Sequence, residues 1–344
     1  MKEGTSMAEG LSTVLPSRVA GWMVCGLVLL AGVCGCQQHV ADNMIANPGI
    51  EEPLEGNGLP RGWAFSVSSG EYKHETAESS QSGKLALVMA GSGGAAEVNT
   101  NATPVTAGTV LECEAWLQTQ LVKDGEPGVF ARFSQEDKDD RSPMIRINPK
   151  SKDWQKIHFY CSADHDCSAM LAIRLGGEGL VRIDDVSMRL APQLVASGLT
   201  SPRTFDEVDE KGDLKEWTHV SQQKKGTYKL VKDGGSTIAR MEGNGGWSVL
   251  ASRRAITTKP TRILLQGALR VTDGAGHLKI DYIKKNNCFK STLSPAGKKD
   301  WTFVSVESDP ALVAEADAIR ATLSVAGGGE YSAEFDSIDI FIEH

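Results

Sequence analysis

Aromatic residues make up only 6% of this 344-residue chain, and lysine and arginine never gather into a run. With a formal net charge of −8, the chain lacks the basic stripe by which nucleic-acid binders hold phosphates, so no nucleic-acid partner is expected. No apolar run approaches the 20 or so residues of a comfortable membrane span. Helical periodicity is absent from every stretch of useful length except Pro310 to Ala318, which makes barely two turns. The nucleophile elbow Gly-x-Ser-x-Gly, the zinc motif His-Glu-x-x-His and a phosphate-binding glycine loop are all missing. The seven histidines are scattered without triad logic. Adjacent acids such as Asp139-Asp140 and Asp184-Asp185 point to opposite faces of a strand, so neither supplies the opposed carboxylates of a glycosidase. No catalytic residue is expected, and the chain is read as a non-enzyme.

The N-terminus reads as an address. Arg18 precedes an apolar run from Val19 to Val33, too short to span a bilayer easily, and Cys34-Gly35-Cys36-Gln37 follows. Val33-Cys34-Gly35-Cys36 resembles a bacterial lipobox, with Cys34 standing where Ala, Ser or Thr is usual. Residues 1–36 are therefore expected to form a signal peptide with a lipobox, lipidated at Cys36. The mature protein would then be an exported lipoprotein of the cell envelope, at the outer membrane or cell surface, meeting the membrane through its N-terminal lipid.

Glycine is plentiful, at 36 residues, and sits between short alternating apolar runs, as in a turn-rich all-β protein. Leu111, Cys113, Ala115 and Leu117 alternate with Glu112, Glu114, Trp116 and Gln118, the period-two pattern of a half-buried strand. A ladder of landmarks occurs twice. Glu51 precedes Trp63 by 12 residues and Asp206 precedes Trp217 by 11; Glu51 precedes Asp184 by 133 and Asp206 precedes Asp336 by 130. Asp153-Trp154 and Asp300-Trp301 fall between. This diverged repeat predicts two tandem jelly-roll β-sandwich domains, residues 42–190 and 199–343, joined by a linker over 191–198.

The order Asn47-Pro-Gly-Ile-Glu51, Gly62-Trp63, Ser82-Gly-Lys-Leu-Ala-Leu87, a strand with an outward Trp116, Asp153-Trp154 and Asp184-Asp-Val-Ser187 resembles jelly-roll carbohydrate-binding modules. The nearest are the cellulase- and xylanase-associated families four, nine and twenty-two. The resemblance covers module one throughout and module two more weakly. It implies a structural calcium held by an acid of the first strand and one of the last: Glu51 with Asp184, and Asp206 with Asp336. Asp184, read in phase with Val186 and Met188, must be neutralised on the apolar face, by calcium or by capping local backbone amides.

Sugar faces stack on flat rings, so Trp116, Trp63, Tyr72 and Phe133 are the candidate ligand-binding residues, with Phe65 beside them. Trp116 points away from the apolar face of its strand, and Ala268 replaces it in module two. Trp63 and Trp217 recur at matching places and suit structural roles, as do Trp154 and Trp301. Cys161 and Cys167 flank five residues between two apolar strands, which reads as a hairpin closed by a disulfide in an exported protein; a zinc site with His165 is the weaker alternative. Cys113 is expected to be a buried hydrophobe and Cys288 to be unpaired. Two functions follow: a membrane-anchored, non-catalytic protein that holds polysaccharide at the cell envelope, or a structural or adhesion lipoprotein whose jelly rolls bind protein or act as spacers.

Overall fold

The computed structural model describes residues 42–344, except Pro53, Glu126, 136–137, Pro143, Lys150, 198–204, 206–207, Lys211, 223–225 and 234–235. Module one holds ten strands: β1 Ala64–Ala77, β2 Ala86–Asn99, β3 Thr103–Val105, β4 Val110–Lys123, β5 Gly128–Gln135, β6 Lys138–Arg141, β7 Ile145–Arg146, β8 Gln155–Ser162, β9 Cys167–Gly176 and β10 Glu178–Leu190. They form one curled antiparallel ladder in the order β6-β5-β9-β2-β10-β4-β8. The ladder curls because β2 bends. Its residues 87–91 pair with β10, whereas 95–99 pair with β9. Gly93 takes a positive φ of 81° at the bend, and a Cβ on Gly94 would lie 2.3 Å from the Ser69 carbonyl oxygen, so the ribbon turns where only glycine fits. The front layer is thus β5, β6 and β9 with one end of the β1–β2 ribbon, and the back layer is β4, β8 and β10 with the other. Val98, Ile173 and Ala131 from the front share one core with Met89, Ile183, Leu117 and Phe159 from the back.

Module two repeats the plan with β11 Leu194–Ala196, β12 Trp217–Ser221, β13 Gly226–Asp233, β14 Ser236–Ser252, β15 Arg262–Asp273, β16 Ala275–Lys284, β17 Asn287–Leu293, β18 Thr302–Glu307 and β19 Ala318–Glu343. The 26-residue β19 does alone what β9 and β10 do together: residues 322–327 pair in front with β14 and 330–335 pair behind. A short helix α1, Pro310–Glu315, falls inside the stretch of helical pattern and is capped by Asp309, whose carboxylate accepts from the amides of Ala311 and Leu312. The fold class is all-β, two tandem jelly-roll sandwiches. One stretch differs from the linker reading: residues 194–196 are β11, paired with 341–343 at the end of β19.

The two sandwiches touch through Val110, Tyr160, Ala191, Leu194, Leu264 and Phe341. Gln266 of β15 clasps the backbone of Tyr160 in β8: its Oε1 accepts from the Tyr160 amide (3.1 Å) and its Nε2 donates to the Tyr160 carbonyl (2.6 Å).

Candidate functional site

The closing strand decides where the repeated acids lie. In β10, Val181 and Ile183 point into the core, and so do Val186 and Met188. The inward phase therefore flips between 183 and 186, at a β-bulge where the register shifts and Asp185 adopts φ 46°. Asp184 is thus not in phase with Val186 and Met188, as expected, but opposite Trp116 on the outer side of the back sheet. It is nevertheless fully buried, because residues 81–82 lie over it. Its Oδ2 accepts from the amides of Gln81 (2.8 Å) and Ser82 (3.0 Å), and its Oδ1 accepts from the amide of Asp185 (2.8 Å). Module two repeats the device: Ser337 has φ 61°, Phe335 and Ile338 both face inward, and Asp336 lies opposite Ala268.

Glu51 reaches the same covering loop, its Oε1 accepting from the amides of Lys84 (2.6 Å) and Leu85 (2.8 Å). Those bonds hold the Glu51 carboxyl below its usual range, whereas burial pushes Asp184 above its own. Glu51, which precedes β1, and Asp184 of β10 thus bind one loop, residues 81–85, at different amides. What they meet is N–H donors, and among the described residues no three acidic, histidine or cysteine side chains are grouped to hold a metal. This corner fits amide capping rather than a calcium ligand set. Asp206 lies outside the described residues.

The four aromatic candidates do not share a surface. Trp63 is a core residue whose Nε1 donates to the Ala46 carbonyl (3.0 Å), and Phe133 is a core residue of β5. Neither ring is open to a sugar. Tyr72 spends its hydroxyl at the β1–β2 bend, donating toward the carbonyls of Gly94 and Gly177. Trp116 alone, half-buried between Asp184 and Lys156, stands on an outer face. The Cys161–Cys167 disulfide is also absent, the four described cysteines being free. β8 and β9 belong to different layers, so residues 163–166 cross between sheets instead of closing a hairpin. Cys161 faces inward toward Cys113, with the sulfurs 3.9 Å apart.

Two open surfaces occupy the same place in the two modules, the outer side of the front layer. Superposing the ladders on Trp63 and Trp217 sets Ala95 against Trp247, Glu97 against Val249, Arg174 against Ser324 and Gly128 against His277. In module one this face is a web of charge. Glu97 meets Arg174 (3.1 Å), Arg141 (3.6 Å) and Arg132 (3.9 Å), and Asp139 takes the Arg132 guanidinium through both Nε (2.6 Å) and Nη2 (2.8 Å). That pairing raises the Arg132 pKa and lowers that of Asp139. Arg141, Arg174, Ser68, Ser69 and Phe130 line a cleft of about 540 Å³ here.

In module two the corresponding face carries Trp247, 40% exposed, with exposed Val220 and Leu293 and with Ser324, His277, Lys279 and Asp281. His277 Nδ1 lies 2.9 Å from the Ser294 carbonyl, and Asp281 accepts from Ser291 (2.5 Å) and Thr322 (2.7 Å). Alternation in Trp247-Ser-Val-Leu250 marks two faces but not which is inward. The arginine web, spread over strands β2, β5, β6 and β9, leaves no local motif.

No protein-family model matches the chain, and the comparison with curated proteins gave no match. Among solved structures it is similar to the tandem CBM22-1–CBM22-2 domains from Paenibacillus barcinonensis Xyn10C, at 12% identity and a TM-score of 0.36, over 87% of this chain and 97% of that one. It is also similar to TmCBM61 in complex with beta-1,4-galactotriose (13% identity, TM-score 0.31, 44% of this chain and 99% of that one). A third is Family 16 Carbohydrate Binding Module-2 (12%, 0.33, 42% and 99%). The likeness is one of architecture. What the modules bind has to be argued from their own faces.

Proposed function

We propose that this protein is an exported, non-catalytic polysaccharide-binding lipoprotein, lipidated at Cys36, whose front sheet faces hold glycan at the cell envelope. The observation that carries the reading is Trp247. A large ring 40% exposed on an open sheet face, beside exposed Val220 and among Ser324, His277 and Lys279, offers a flat apolar platform rimmed by hydrogen-bonding groups. That is what a pyranose presents in reverse, an apolar C–H face edged with hydroxyls. Trp247 and Val220 together form an exposed apolar patch rimmed by polar groups, of the kind that marks an interaction site. Trp116 on the back sheet of module one is a second, separate ring for the same chemistry.

Pull-down of the full chain on insoluble polysaccharides tests this. Trp247→Ala is expected to weaken retention about tenfold or more, as loss of a buried aromatic anchor does, with the melting temperature unchanged. Retention equal to wild type removes the Trp247 face from the reading, and the same comparison with Trp116→Ala weighs the back sheet.

A further inference from the structure

The front face of module one is built for a different ligand from that of module two. Its four arginines are not equivalent: Arg146 lines the cleft beside Asp124 but is stacked over the Trp301 ring (5.0 Å). Arg132 is spent: its Nε and Nη2 form a two-pronged pair with Asp139, and it does not line the cleft. Arg141 and Arg174 do line it, with side chains 42% and 36% exposed. Each makes one hydrogen bond to an acid, Arg174 through Nη1 to Glu97 (3.1 Å) and Arg141 through Nη2 to Asp139 (3.4 Å). A guanidinium carries five N–H donors in a fixed fork, so both keep donors for a ligand. Glu97, only 12% exposed, and Asp139 hold the forks in place, and Arg141 is further steadied over the Phe130 ring (5.3 Å). Serine hydroxyls at 68 and 69 complete the wall. The cleft volume, about 540 Å³, is in the range of small-ligand sites.

We infer that this cleft takes an acidic sugar unit, with Arg141 and Arg174 clasping a uronate carboxylate and the serines meeting ring hydroxyls. The inference rests on the glycan-binding reading and adds its ligand class. A planar carboxylate matches the guanidinium fork in a way that neutral hydroxyls do not. In a chain of net charge −8, an acidic polymer would otherwise be repelled, so attraction has to come from such a local site.

The test is affinity electrophoresis of the full chain in gels containing polygalacturonate, a neutral β-glucan or dextran sulfate. Polygalacturonate is expected to retard the wild type. Arg141→Gln and Arg174→Gln are each expected to weaken that binding about tenfold, the worth of one charge-assisted hydrogen-bonded pair. Lys284→Gln, in module two beside Glu315 of α1 and outside both faces, makes the same change in charge and is expected to have no effect. Melting curves check that each variant is folded; should Arg174→Gln unfold, Arg141→Gln, whose side chain is the more exposed, carries the test. Equal retardation of wild type and Arg141→Gln overturns the assignment. So does equal weakening by Lys284→Gln, or dextran sulfate bound as well as polygalacturonate, since either marks non-specific charge. Retention of neutral glucan alone overturns the acidic-sugar assignment and leaves the glycan-binding reading standing. Retention of no polysaccharide overturns both.

Discussion

Replacing Asp184 by Ala removes a buried carboxylate and the acceptor for the backbone N–H groups of Gln81, Ser82 and Asp185. Three hydrogen bonds that pin the loop to β10 are lost with it, so Asp184→Ala is expected to lower stability by about 1–3 kcal/mol, read from urea unfolding. Because N–H donors already surround the carboxylate, a chelator is expected to leave the melting temperature of the wild type unchanged. A fall on chelation would put calcium back at this corner. Glu51 gives a pH signature. Its folded pKa is depressed by the amides of Leu85 and Lys84, so its contribution is present above the unfolded value of about 4.5 and is lost as pH falls below it. The stability gap between wild type and Glu51→Gln should therefore close on acidification through that range. Asp184 runs the other way: its pKa is raised by burial, so the folded state holds its proton longer, and its ionisation lowers stability as pH rises above about 3.8.

At the scale of elements, the bulge is the feature that period-two reading misses. Strict alternation along Asp184, Val186 and Met188 puts the acid in the core. One extra residue at Asp185 in module one, and at Ser337 in module two, turns the strand over and places both acids on the outer side. The left-handed backbone at Ser337 makes a sharp prediction. Ser337→Val is expected to destabilise by about 1–2 kcal/mol, while Ser337→Gly stays near wild type, because the penalty lies in the Cβ and its branching. Thermal melts of the two variants read the difference directly. The connection between β8 and β9 departs from the expected hairpin for a related reason: two apolar strands separated by a short segment look alike in sequence whether they pair or cross between layers, and only the sheet order tells them apart.

Across the whole molecule, the two sandwiches are coupled through a small apolar contact and the Gln266 clasp on Tyr160. Trp301 adds to the join, with Arg146 of module one and Arg270 of module two each stacked 5.0 Å from its ring centroid. Gln266→Leu leaves a buried N–H and a buried carbonyl unmatched. It is expected to cost about 1–3 kcal/mol, and calorimetry should show the two modules melting further apart than in the wild type.

The sequence by itself determined the all-β class, the two modules and the recurrence of Trp63 with Trp217 and Asp184 with Asp336, because alternation and repeat spacing are local or periodic quantities that survive without a partner strand. The tertiary structure decided which side of each strand faces out. It sent Trp63 and Phe133 to the core, left Trp247 open, and gathered Glu97, Arg141 and Arg174 from three strands onto one face. A strand has two faces of equal standing until another sheet packs against one of them, and a site drawn from several strands exists only once the ladder has curled.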